Sequence, residues 1–211
     1  MAQHGFVFVS ISANRAILSN GMCDVNCDAG DAQGELAWAR LGLAHLELLQ
    51  VWNGFPSDGR EVEVTSLDYM PFDVRGRLNM SSVGLIGHSR GGEAVRFMQE
   101  ALLTRNRTGP TGTVSHPCDN PLCKNVSLAY HGLPDAAVVG VLEIGPVDFL
   151  INGARPTVRH VPWVVLLPGC DGDVSELKGR CAYDRRVAAP EPEHSMSAIV
   201  VVSGASHNTF N

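Results

Sequence analysis

Four stretches of this chain, 83–87, 137–144, 163–167 and 199–202, are apolar with little polar alternation. A strand with one wet face alternates apolar and polar side chains. A strand that does not alternate is covered on both faces, which is the situation of parallel strands with helices packed against them. The segment 6–11 (F-V-F-V-S-I), β-branched and aromatic, reads as a further buried strand. Between these runs the period changes. Leu36, Ala39, Leu43 and Leu46 recur at helical spacing within 35–50, and a second helical stretch runs from Gly91 to about Leu103. A short strand at 61–65 and an irregular excursion at about 104–135, rich in Thr, Asn, Gly, Pro and Cys, complete the pass. No repeat or linker divides the 211 residues, a length sufficient for one substantial core. The expectation is a single α/β domain over 1–211, a three-layer sandwich around a mostly parallel central sheet.

The first of the four runs breaks into Gly87-His88-Ser89-Arg90-Gly91-Gly92 immediately before the second helical stretch. A serine at a sharp strand-to-helix turn is held in strained backbone geometry with its hydroxyl exposed. Glycines on either side are expected because side chains there would collide with the neighbouring strand and helix. A bare G-x-S-x-G occurs by chance in many chains; the strand before it and the helix after it make this one specific. Ser89 is the candidate nucleophile, and the backbone N–H of Arg90 is the expected oxyanion-hole donor.

Two later loops supply partners for that serine. His207 lies in Ser203-Gly204-Ala205-Ser206-His207-Asn208, at the end of the run 199–202. It can accept the serine proton on one ring nitrogen and donate the other ring N–H to an acid. The loop Pro168-Gly169-Cys170-Asp171-Gly172-Asp173-Val174, at the end of 163–167, carries two carboxylates. Asp148, in Gly145-Pro146-Val147-Asp148, is a third choice of acid. The other histidines do not sit beyond a suitable final strand, and His88 reads as a packing or hydrogen-bonding residue within the elbow.

This order of elements resembles carboxylic-ester hydrolases of the α/β-hydrolase superfamily. The G-H-S-R-G-G elbow is similar to that of chlorophyllase-like and polyester (PET) hydrolase-like enzymes. The resemblance extends over nearly the whole chain, with its sharp motifs in three short segments. It implies hydrolysis of a small-molecule or polymeric ester through an acyl-enzyme, with no cofactor and no metal. Ser89 would be the nucleophile, His207 the base and Asp173 the acid, the last matched to the G-x-x-x-D loop of the polyester hydrolases. Asp171 and Asp148 stay open as alternatives. The same triad cleaves amides, so a serine peptidase or amidase is a second reading. A non-catalytic binding or scaffold protein is a third, because the His4-Gly5 pair enters a strand where a second oxyanion loop would leave one. The resemblance further implies strands upstream of Met1 and a helix after the base, so the chain reads as a core truncated at both ends.

Composition narrows the partners. A net charge of −6 offers no general attraction to nucleic acid or anionic lipid, and no apolar run is long enough to span a bilayer. The six cysteines fall as sequence neighbours, Cys23 with Cys27, Cys118 with Cys123, and Cys170 with Cys181, all in loop-like sequence. Three short disulfide loops suit an extracellular or periplasmic location, although the opening residues do not form a signal peptide. Asp24, Asn26, Asp28 and Glu35 have the spacing of a calcium loop, but Ala29 stands where that loop needs glycine. A polar loop capping the next helix is the preferred reading. His116, Cys118, Cys123 and His131 match no standard zinc spacing.

Overall fold

Trp163 is the largest fully buried side chain among the described residues, and the core is arranged around the strand that it begins. The computed structural model describes residues 5–12, 31–54, 73–108, 111–114, 128–131, 137–149, 155–189 and 196–210. Its helices are α1 (Asp31–Trp52), α2 (Arg90–Thr108) and α3 (Arg180–Ala188). Its strands are β1 (Val83–His88), β2 (Thr111–Val114), β3 (Leu128–His131), β4 (Val138–Ile144), β5 (Trp163–Pro168) and β6 (Ser197–Val202), with 3-10 turns at Ser175–Leu177 and His207–Phe210. Four strands form a sheet in the order β1-β4-β5-β6, and every pair in it is parallel. The expected α/β class and the parallel sheet are both present.

Register sets the core. Leu85 stands opposite Val141 and Val141 opposite Trp163, with Val165 and Leu167 following on the same face of β5. These side chains form one apolar cluster with Leu36, Ala39, Leu43 and Leu46 of α1, Phe97, Met98 and Ala101 of α2, and Ala182 of α3. Helices α1 and α2 approach closely where Gly42 meets Met98, since a Cβ at Gly42 would lie 2.5 Å from the methionine sulfur. The other face of the sheet is more open. Ile86 and Val200 are exposed, and Gly84, Ile86, Leu142 and Val164 line a shallow apolar hollow. Among the described residues the helices therefore contribute to a single layer, and the second helical layer of the expected sandwich does not lie within them.

Three further expectations are corrected. The segment 6–11 forms no strand, and Phe6, Val7 and Phe8 are each at least 60% exposed. β-Branched and aromatic composition can make a segment strand-like, but a strand also needs a neighbouring backbone to pair with, and no described strand pairs with this one. The second helix runs on to Thr108, and part of the excursion beyond it is an antiparallel ladder between β2 and β3. Cys170 and Cys181 are free thiols. Cys170 is held in the turn after β5 by its N–H bond to Ala205 O (2.8 Å), whereas Cys181 is held in the first turn of α3 by a bond to Lys178 O (2.9 Å). Cys23, Cys27, Cys118, Cys123 and the segment 61–65 lie outside the described residues.

A charged cluster is buried inside this frame. Arg96, fully buried on α2, places Nε 3.3 Å from Glu143 Oε2 and Nη1 2.8 Å from Asp148 Oδ1. Asp148 also accepts two bonds from Arg185 of α3, at 2.6 and 2.7 Å. Buried charges are tolerated only when paired and hydrogen-bonded. Burial pushes Asp148 upward, but the Arg185 and Arg96 bonds outweigh it and hold the carboxyl below its usual range. For two glutamates burial wins. Glu143 is pushed up to about 7 and Glu93 to about 8, Arg96 opposing the rise in each case.

These two glutamates bind protons more tightly folded than unfolded. Their contribution to stability is therefore present below the ordinary value of 4.5 and is lost as pH rises through 7 and 8. Denaturant titrations from pH 5.5 to 8.5 should show stability falling with pH, and Glu143→Gln should make that slope shallower. A slope unchanged by Glu143→Gln would contradict the assignment.

Candidate active site

Strand β1 delivers Ser89 at a φ of +56°, the left-handed region that non-glycine residues seldom occupy. Three backbone bonds hold the turn. The Ser89 N–H donates to Ile144 O (2.9 Å), while the Ser89 carbonyl accepts from Gly92 N (3.0 Å) and Val147 N (3.3 Å). A Cβ at Gly87 would lie 2.1 Å from the Gly91 carbonyl oxygen, and one at Gly92 would lie 2.6 Å from Pro146 Cβ, whereas Gly91 faces open space. The close approaches therefore fall at Gly87 and Gly92, and the second glycine of G-x-S-x-G is not one of them. Arg90 opens α2, so its backbone N–H sits at the positive end of the helix beside Ser89. Its guanidinium Nε lies 3.7 Å from the buried Oε1 of Glu35 and links α1 to the elbow. Glu35 is thus turned toward Arg90, while Asp24, Asn26 and Asp28 lie outside the described residues.

The expected base meets a carboxylate of the 168–174 loop at the carboxyl edge of the same sheet. His207 is buried, and its Nδ1 lies 2.9 Å from Asp171 Oδ2. Asp171 Oδ1 accepts the N–H groups of Asp173 (2.9 Å) and Val174 (2.8 Å). Burial would raise the Asp171 carboxyl, but the His207 bond and these two N–H groups outweigh it and hold the carboxyl below its ordinary value. A carboxylate can only accept, so Nδ1 carries a proton, and the lone pair of the neutral ring is the one on Nε2.

Asp173, the expected acid, does not take this position. Its Oδ2 lies 4.0 Å from Nε2, on the other side of the ring, and its side chain is 65% exposed. The reason is local. Asp171 comes first in the loop, and its carboxylate caps the N–H groups two and three residues on, an Asx-type turn that aims its second oxygen at His207. Asp148, the remaining alternative, is engaged by Arg96 and Arg185.

Two neighbours complete the geometry. Gly145, at a φ of +49°, packs so closely that a Cβ there would lie 3.3 Å from both Asp171 Oδ2 and His207 Nδ1. His88 donates from Nε2 to the His207 carbonyl (2.8 Å), and the two rings are 4.6 Å apart, in keeping with the hydrogen-bonding role read for His88. Ser89 is coupled to the pair through the end of β4: its N–H bonds Ile144 O, and the next residue, Gly145, is the one against Asp171 and His207. No hydrogen bond joins Ser89 Oγ to His207 Nε2 in this structure. Among the described residues no group of three or more side chains is arranged to hold a metal ion.

Gly145 was not singled out by the sequence reading, although a glycine directly after an apolar run is a turn signal. Glu93, Arg96 and Gln99 were missed as well. They lie at intervals of three along α2 and are all buried, so the polar line they form within a buried helix was a visible sign. No family model, curated protein or solved structure matches this chain.

The two elbow glycines should separate cleanly by mutation. Gly87→Ala forces a collision with backbone and should cost at least the ~1–3 kcal/mol of an overpacked core. Gly91→Ala, in an open helical position, should be neutral or stabilising by up to about 1 kcal/mol. Urea unfolding of both variants measures the difference, and equal losses would contradict the elbow packing.

Proposed function

We propose that this protein is a serine hydrolase that cleaves a carboxylic ester through an acyl-enzyme, with Ser89, His207 and Asp171 as nucleophile, base and acid. One observation carries the reading: a buried histidine, fixed at Nδ1 by a carboxylate, stands at the edge of a parallel sheet that also presents a serine at a left-handed turn. In the reaction, Ser89 Oγ attacks the ester carbonyl carbon as its proton passes to His207 Nε2. The tetrahedral oxyanion forms beside the Arg90 N–H at the start of α2. Collapse breaks the bond to the alcohol oxygen, which leaves with the proton from Nε2. Water then attacks the acyl-serine, gives a proton to Nε2 and releases the acid, and Ser89 recovers its proton. Asp171 orients the imidazole and supports its cationic form without itself taking the proton.

A Ser89–Nε2 hydrogen bond that closes as the substrate binds fits this scheme. Hydrolysis of p-nitrophenyl butyrate measures it. Ser89→Ala should abolish turnover, and Asp171→Asn should lower kcat by about 10³–10⁴. Asp173→Asn should stay within about threefold, as expected for an exposed charge outside the triad. Faster cleavage of a matched anilide would favour the amidase reading. Ester cleavage that is absent in the folded protein would leave the non-catalytic reading, and cleavage unaffected by Ser89→Ala would remove Ser89 as the nucleophile.

A further inference from the structure

One line of α2 reaches across to the chain that leaves β4. Glu93, in the first turn after Ser89, holds the Phe149 N–H between its two carboxyl oxygens, at 3.0 and 3.2 Å. Arg96, one turn on, donates to the Val147 carbonyl, to Asp148 and to the Pro156 carbonyl. Gln99, one turn further, donates to Arg159 O at 2.7 Å. All three side chains are buried, and most of the groups they hold are backbone atoms. The segment they hold is not remote from the chemistry. The Val147 N–H donates to the Ser89 carbonyl, and Gly145, two residues earlier, is the surface against which Asp171 and His207 pack.

We propose that Glu93 and Arg96 are positioning residues of this site: they fix the backbone of 147–149, and through it the Ser89 turn and the wall behind the Asp171–His207 pair. The inference rests on the ester-hydrolase reading and adds to it a means of control. The groups facing Glu93 are Arg96 on its own helix, Glu35 of α1, and Asp148 with the Phe149 N–H from the β4 exit. Glu143 of β4 and Arg185 of α3 join through Arg96 and Asp148. Burial keeps Glu93 protonated up to about pH 8, so at neutral pH it is a neutral acceptor for the Phe149 N–H. Above that pH it becomes a buried anion. Desolvation, together with the facing Glu35 and Asp148, outweighs the Phe149 N–H bond, which itself favours the charged form. The balance favours opening of the contact to water, which loosens the hold on 147–149. Glutamine has the shape of the neutral form at every pH.

Steady-state ester hydrolysis and hydrogen exchange on the native protein, Glu93→Gln and Glu93→Ala test this. Glu93→Ala should lower kcat about tenfold or more with little change in KM, because misplacement acts on the transition state. Exchange over 145–149 should become faster in the same variant. Glu93→Gln should stay within about threefold of native at pH 7 and should move or remove the fall in native kcat above about pH 8. A folded Glu93→Ala variant with native kcat and native exchange overturns the proposal. If Glu93→Ala does not fold, the pH comparison decides, and an identical alkaline limb in Glu93→Gln overturns it. If neither native protein nor Ser89→Ala hydrolyses the ester, the ester-hydrolase reading falls separately. Exchange over 145–149 then decides whether Glu93 holds the loop.

Discussion

The guanidinium of Arg96 is the contact on which the rest of the molecule depends. It is fully buried, yet it touches the sheet through Glu143, the β4–β5 connection through Asp148 and the Val147 and Pro156 carbonyls, and, by way of Asp148, helix α3 through Arg185. Removing a single partner from such a cluster leaves an uncompensated buried charge, which is far more harmful than replacing the cluster with apolar groups. The arrangement thus favours one register of α2 over the sheet. That register also places the helix N-terminus beside Ser89.

The apolar frame and the polar cluster act on different parts of the same problem. Leu85, Val141, Trp163, Val165 and Leu167 bury one face of the sheet against the helices, which stabilises the layer without directionality. Direction comes from hydrogen bonds at the carboxyl edge, where the loops after β1, β4, β5 and β6 meet. Ser89 is bonded to the end of β4, the turn after β5 is bonded to the loop after β6 through Cys170 and Ala205, and His88 is bonded to the His207 carbonyl. Each loop is therefore tied to another by backbone atoms, and the side chains proposed for catalysis are presented by a braced edge.

Much of this was legible in the chain because it depends on local pattern. The four unbroken apolar runs correspond to the four parallel strands, and the break at Gly87-His88-Ser89 is the turn at positive φ. What was not legible depends on three-dimensional choice. Asp171 and Asp173 share one short loop, and only the Asx-type turn, in which Asp171 caps the backbone of Asp173 and Val174, decides which of them meets His207. The segment 6–11 has strand composition but no paired neighbour among the described strands. Cys170 and Cys181 are close in sequence, but each is held in its own turn.

The central claim is that His207, held by Asp171, activates Ser89. Treating the folded protein with a diethyl organophosphate and mapping the adduct by peptide mass spectrometry tests it most directly, because phosphorylation needs the nucleophile and base to act together. The account predicts a single diethylphosphoryl group on the peptide containing Ser89, lost in denatured protein and in a folded His207→Ala variant. An adduct elsewhere, or one on Ser89 that forms equally fast without His207, would contradict it.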